Sequence, residues 1–126
     1  MSVFNNFQEV QEAYNHLMRK SYRFGACICV GSRSDKYTDF RYTLKTTKRR
    51  IRTKAHQVAM LFRLAQHVMP VGTETSHLCN SKNCINVNHL NAEDRQTNMD
   101  RTRCIGQRAV RGPQFCWGHG NQPNCL

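Results

Sequence analysis

Cys79, Cys84 and His89 are spaced five and five along the chain, which suits a tight loop folding back on one ion better than a disulfide beside a stray imidazole. Zinc takes four sulfur and nitrogen ligands in a tetrahedron, so a fourth must come from elsewhere. Upstream only Cys27 and Cys29 are available. Two apart on a strand, they face the same way; Cys27 is taken as the ligand and Cys29 as packing. A second set, Cys104, Cys116, His119 and Cys125, is complete in itself. It lies in a stretch with Gly, Pro and Asn but few core-forming residues, which has little reason to be ordered without a metal. Two polar residues are left at the margins, His77 just before the first ligand and Asn98 after His89. A strand ending at His77, a metal-held loop and a helix carrying Asn98 would set an imidazole beside an amide oxygen.

The elements that must position these groups follow from periodicity. Phe4, Phe7, Val10, Tyr14, Leu17 and Met18 recur at three and four residues, predicting an amphipathic helix within residues 1–20. Residues 21–55 alternate β-branched and aromatic with polar residues and are broken by Gly31, Ser34 and Asp35, predicting two or three antiparallel strands. Arg41, Lys45 and the set Lys48, Arg50, Arg52 and Lys54 would line its sides, a ribbon that fits the major groove of a duplex. A second helix is expected over 56–69, ended by Pro70 and Gly72. His56 and His67 lie near its ends, where a histidine is more often a cap or surface residue than a ligand. Regular signals then fade, apart from a short helix from Ala92 to about Arg103.

Length and charge narrow the function. The chain has 126 residues and a net charge of +11, room for one domain with a core too small to be comfortable without cross-links. Residues 21–70 carry eleven basic against two acidic side chains, and so nine of the eleven net charges. That clustering favours a polyanionic partner, nucleic acid first. Seven cysteines, an odd number, interleave with six histidines, and no N-terminal apolar run precedes a cleavage site. A reducing, intracellular compartment is expected, and the nucleus if the source is eukaryotic, since KTTKRRIRTK would serve as a localisation signal. The longest apolar run is Val58 to Phe62, far short of the roughly 18 residues that span a bilayer.

Ser76-His77-Leu78-Cys79, a cysteine after four residues, His89-Leu90 after four more and then Asn98 resemble the His-Cys box homing endonucleases, within the wider ββα-metal or HNH-like nuclease group. The strong part of the match runs from Ser76 to Cys125, with a weaker extension around Gln57 and Val58. The resemblance implies an α+β fold: a ββα-metal core over 73–103, a basic antiparallel sheet, flanking helices and a second zinc lobe over 104–126. It implies two structural zinc ions held by the two sets named above, His77 as general base, and Asn98 as ligand of one catalytic Mg²⁺. Family members also bring an arginine to the scissile phosphate from the strand before the first long helix. Lys48, Arg49 and Arg50 occupy that neighbourhood, and Arg49 is carried as the candidate. The last zinc set departs from the family in its Cys-x2-His-x5-Cys spacing, and the stop at Leu126 predicts that any homodimer forms without exchange of C-terminal tails.

The roles are chemically consistent. A neutral imidazole takes a proton from water near physiological pH, and Asn98 offers Mg²⁺ one hard oxygen. The leading expectation is therefore a Mg²⁺-dependent endonuclease acting on double-stranded DNA, its ribbon residues Arg41, Lys45, Lys48, Arg49, Arg50, Arg52 and Lys54 on the phosphates. The alternative is a catalytically inactive, zinc-stabilised DNA-binding module on the same scaffold. A third reading, an RNA or single-strand nuclease, would use Tyr37, Phe40 and Tyr42 as stacking platforms, although strand alternation explains them equally well as core.

Overall fold

Asn6 decides where the first helix begins. In the computed structural model, which describes residues 3–32 and 36–126, its side chain accepts the Glu9 backbone N–H at 3.0 Å, and α1 runs Phe7–Arg19. The apolar period starts three residues earlier at Phe4, but a side-chain acceptor that satisfies a free helix-end donor sets the boundary. Phe4 is buried all the same, and the Glu9 carboxylate reaches back to the Asn5 N–H at 2.7 Å.

The basic region makes two separate hairpins. β1 (Tyr22–Phe24) pairs with β2 (Cys27–Cys29) across Gly25, whose φ of 60° suits a residue without a Cβ. β3 (Asp39–Thr43) pairs with β4 (Arg50–Lys54), setting Arg41 opposite Arg52 and Thr43 opposite Arg50. Alternation sorts the second hairpin: Phe40 and Ile51 are buried, while Arg41, Arg50, Arg52 and Lys54 stand in solvent. Lys45 and Lys48 lie in the connection between these strands, also exposed. Of the expected breakers, Gly31 has φ 74°, and Ser34 and Asp35 lie outside the described residues.

α2 (Ala55–Leu64) leaves β4 without a break and stops well before Pro70. Ala65 takes a left-handed conformation, φ 54° and ψ 41°, and the N–H groups of Ala65 and Gln66 close onto the Phe62 and Leu61 carbonyls, each at 3.1 Å. This is the paired closure of a Schellman end, usually built on glycine. An alanine there bears a cost of about 1–2 kcal/mol, and Ala65 is exposed. Ala65→Gly is therefore expected to raise stability by about 0.5–1 kcal/mol, after the greater freedom of unfolded glycine is deducted. Denaturant unfolding checks this, and a loss of stability would contradict it.

The chain then forms β5 (Glu74–His77), a 3₁₀ turn at Val87–His89 and β6 (Leu90–Glu93), paired antiparallel with His77 opposite Leu90. α3 (Arg95–Gly106) follows, its start set by the Asp94 side chain accepting the Thr97 N–H at 2.7 Å. Ala92 and Glu93, which a helix from Ala92 would have taken, belong to β6 instead. A short α4 (Arg108–Arg111) leads into the C-terminal lobe. Small antiparallel sheets and helices thus form an α+β fold. Its core joins α1 to α2, where Tyr14 stacks on Phe62 with centroids 3.8 Å apart, and takes in Phe40, Ile51, Ile85 and Leu90. Among the described residues no helix is long and apolar enough to cross a membrane.

Candidate functional site

Three chain segments converge on the first cluster. β2 supplies Cys27, the loop after β5 supplies Cys79 and Cys84, and the 3₁₀ turn supplies His89; their ligand atoms all lie within 4.8 Å of one another. The His89 Nδ1 is 3.6 Å from both the Cys27 and the Cys84 sulfur. Zn–S and Zn–N bonds of about 2.0–2.3 Å give tetrahedral edges of about 3.3–3.8 Å, so the donor set fits zinc. Cys27 gathers with the others, while Cys29 is wholly buried and bridges backbone to Cys84. The Cys84 thiol is held low, at about 4, chiefly by the hydrogen bond from Cys79 and, against burial, by backbone N–H groups of Asn86 and Ile28. Thiols this crowded share their protons, and a dication relieves that crowding.

Cys104 from α3 joins Cys116, His119 and Cys125 in the second cluster, again within 4.8 Å. His119 turns Nε2 toward Cys125 at 3.3 Å and Nδ1 toward an Asp100 carboxylate oxygen at 3.1 Å. A carboxylate behind a ligating imidazole fixes its tautomer and raises its basicity, the usual arrangement around bound zinc. Trp117 also donates to Asp100, at 2.9 Å. Arg101 ties this lobe inward: it is 2 % exposed, pairs with buried Glu93 of β6 through two nitrogens and reaches the Cys125 sulfur at 3.6 Å.

Between the clusters lies a cleft of about 30 Å³ lined by His77, Asn98, Tyr37, Lys82 and Arg101, among others, room for a water or two. The His77 Nε2 lies 2.8 Å from the Cys84 carbonyl. A carbonyl only accepts, so Nε2 carries the proton and Nδ1 carries the lone pair. Nδ1 is buried without a hydrogen-bond partner among the described residues. Burial lowers the His77 pKa, with the Cys84 carbonyl opposing it, so the imidazole is neutral at physiological pH. Asn98, on α3, donates through Nδ2 to the Glu74 carboxylate of β5 at 2.6 Å. That bond orients the amide and leaves Oδ1 for a hard cation, which the single oxygen fits.

Two rings pack beside His77, Tyr37 from the cleft lining and His56 from behind it. His56 opens α2 with its ring 4.9 Å from that of His77, and Tyr37 stacks on both, at 4.5 Å and 5.7 Å. Burial, then the charges of His77 and Lys54, pushes His56 down to about 3, so it is neutral packing for His77 rather than a competing base. Nothing local in the sequence marks His56, whose neighbour lies 21 positions on. Phe40 is core, and Tyr42, half-buried, donates to Glu12 at 2.6 Å. Of the three aromatics weighed as stacking platforms, Tyr37 is the one at the cleft.

The ribbon residues divide. Arg41, Arg50, Arg52 and Lys54 share the solvent face, with Lys54 paired to Asp39 at 2.6 Å. Arg49 departs from its expected place at the cleft: its guanidinium pairs with buried Glu9 of α1 and donates to the Val3 carbonyl at 2.7 Å. Arg49 and Arg50 are adjacent, so they point to opposite sides. Lys48 and Arg50 sit toward the turn, with Arg50 roughly 13 Å up the strand from the end that leads to His56.

A family model described as the zinc-binding loop region of homing endonuclease matches residues 5–126. No curated protein and no solved structure matches the chain.

Proposed function

The chain belongs to the homing endonuclease zinc-binding loop family, and from that membership we propose that it hydrolyses phosphodiester bonds of duplex DNA, with His77 as general base and Asn98 as the protein ligand of Mg²⁺. One observation carries the reading: His77 and Asn98 line the same small cleft, the imidazole oriented by a carbonyl of a zinc-cluster residue and the amide by Glu74. His77 Nδ1 takes the proton of the attacking water. The first cluster grips the loop that carries the Cys84 carbonyl and so fixes the tautomer of the base. Asn98 Oδ1 would hold Mg²⁺, and the bound ion would supply charge for the phosphate, the developing phosphorane and the departing oxygen. Arg41, Arg50, Arg52 and Lys54 hold the duplex by its phosphates, which is the salt-sensitive part of binding.

Nicking of supercoiled plasmid, followed against Mg²⁺ concentration, tests this. Asn98→Ala is expected to slow cleavage about 10²–10³-fold and to shift Mg²⁺ activation to higher concentration, while gel-shift affinity for the duplex holds. Parental Mg²⁺ dependence in that variant would remove Asn98 from the mechanism. A wild-type chain that shifts DNA but fails to cut it with any divalent ion is a zinc-stabilised binding module instead.

A further inference from the structure

Phosphodiester cleavage gathers a second negative charge on the phosphate in the transition state, and a cation placed there in advance is worth a large part of the rate. The basic residues nearest to hand are mostly committed. Arg49 is bound to Glu9. Arg101 reaches the cleft but spends its nitrogens on Glu93 and Cys125. Lys54 is paired with Asp39. We propose that Lys82 is the phosphate-binding catalytic cation, an inference that rests on the endonuclease reading above.

Lys82 lines the cleft with His77 and Asn98, and it makes no ion pair among the described residues. Its Nζ lies 5.2 Å from the centroid of Tyr37, the ring that also stacks on His77. A cation over an aromatic face is held by the ring quadrupole without being neutralised, so its charge stays available. The backbone under it is pinned on both sides. Cys79 and Cys84 both belong to the first cluster, and the Cys84 N–H closes a turn onto the Ser81 carbonyl at 3.0 Å. Next to Lys82, Asn83 is 2 % exposed and donates to the Tyr22 hydroxyl at 3.2 Å. A half-buried ammonium on a fixed loop, beside the base and the metal-binding amide, meets the requirement for preorganised charge. The first cluster thus positions two reacting groups at once, His77 through the Cys84 carbonyl and Lys82 through the loop itself.

The test compares Lys82→Ala and Lys82→Arg with the parent. Lys82→Ala is expected to lower the single-turnover rate about 10²–10³-fold with duplex affinity within about threefold, because the ribbon supplies most phosphate contacts. Lys82→Arg is expected to recover to within about tenfold, since it keeps the charge. Zinc content and melting temperature should be unchanged in both. A readout free of turnover uses the His77→Ala background and a duplex with a neutral methylphosphonate at the mapped cut: neutralising that phosphate weakens binding when Lys82 is present and has no effect when it is alanine. Parental rates in Lys82→Ala, beside a slow Asn98→Ala, overturn the role of Lys82 and leave the endonuclease reading standing. A wild-type chain that no divalent ion makes cut overturns both.

Discussion

His77→Ala is expected to lower plasmid cleavage by at least about 10³-fold while leaving affinity for duplex DNA within about threefold. A positioned general base contributes about 10²–10⁴-fold, and the described cleft offers no replacement. His56 is the nearest imidazole, but burial holds its pKa at about 3, so it is too weak a base to substitute. Binding is spared because the exposed face of β3 and β4, which carries Arg41, Arg50, Arg52 and Lys54, does not include His77. The alanine variant leaves the Cys84 carbonyl without its buried partner, a loss of about 1–3 kcal/mol. His77→Gln separates chemistry from folding: its amide still donates to that carbonyl, so the variant should melt close to the parent and remain inactive. Cleavage at the parental rate by either variant would remove the proposed mechanism.

Removal of zinc is expected to unfold the chain outright. Mass measurement should count two ions per chain, one for each cluster. Stripping them with a strong chelator such as phenanthroline should abolish the cooperative melt and the near-UV signal, and added Zn²⁺, not Mg²⁺, should restore both. Structural zinc contributes about 10–16 kcal/mol of apparent binding free energy in small domains, as much as the whole stability of a typical one, about 5–15 kcal/mol. The C-terminal lobe shows why: after α4, residues 112–126 contain no helix or strand, and what is buried there is largely the ligands Cys125 and His119. Cys116→Ser should lose one ion and loosen this lobe, with Arg101 and its buried partner Glu93 destabilised in turn. Cys84→Ser should also disorder the carbonyl that orients His77, and so lose activity as well as metal. A metal-free chain that still unfolds cooperatively would overturn this account.

The loop ligands Cys79, Cys84 and His89, the second Cys and His set, and the helical and strand periods were legible in the amino-acid order, because each rests on short spacing or on a repeat of two or of three to four, whereas spacing alone neither chose Cys27 over Cys29 nor gave the distance between His77 and Asn98. Cys79, Cys84 and His89 lie within one loop, where connectivity alone keeps ligands close. The apolar period alone did not mark where the helices begin, since the starts of α1 and α3 are set by the capping side chains of Asn6 and Asp94. The left-handed turn at Ala65 carries no such mark, since alanine is a good helix former.

Tertiary packing decided the rest. Arg49 is indistinguishable from Arg50 by composition, yet strand parity and a buried carboxylate 40 residues away turn it toward α1. Glu74 and Asn98, 24 residues apart, meet because β5 packs on α3, and His56 meets His77 because α2 packs on β5. Amino-acid order specifies which side chains share a face of one element, through the fixed geometry of helix and strand. Which faces then oppose one another depends on how the elements bury their apolar sides together, and that long-range fit is what assembles the cleft.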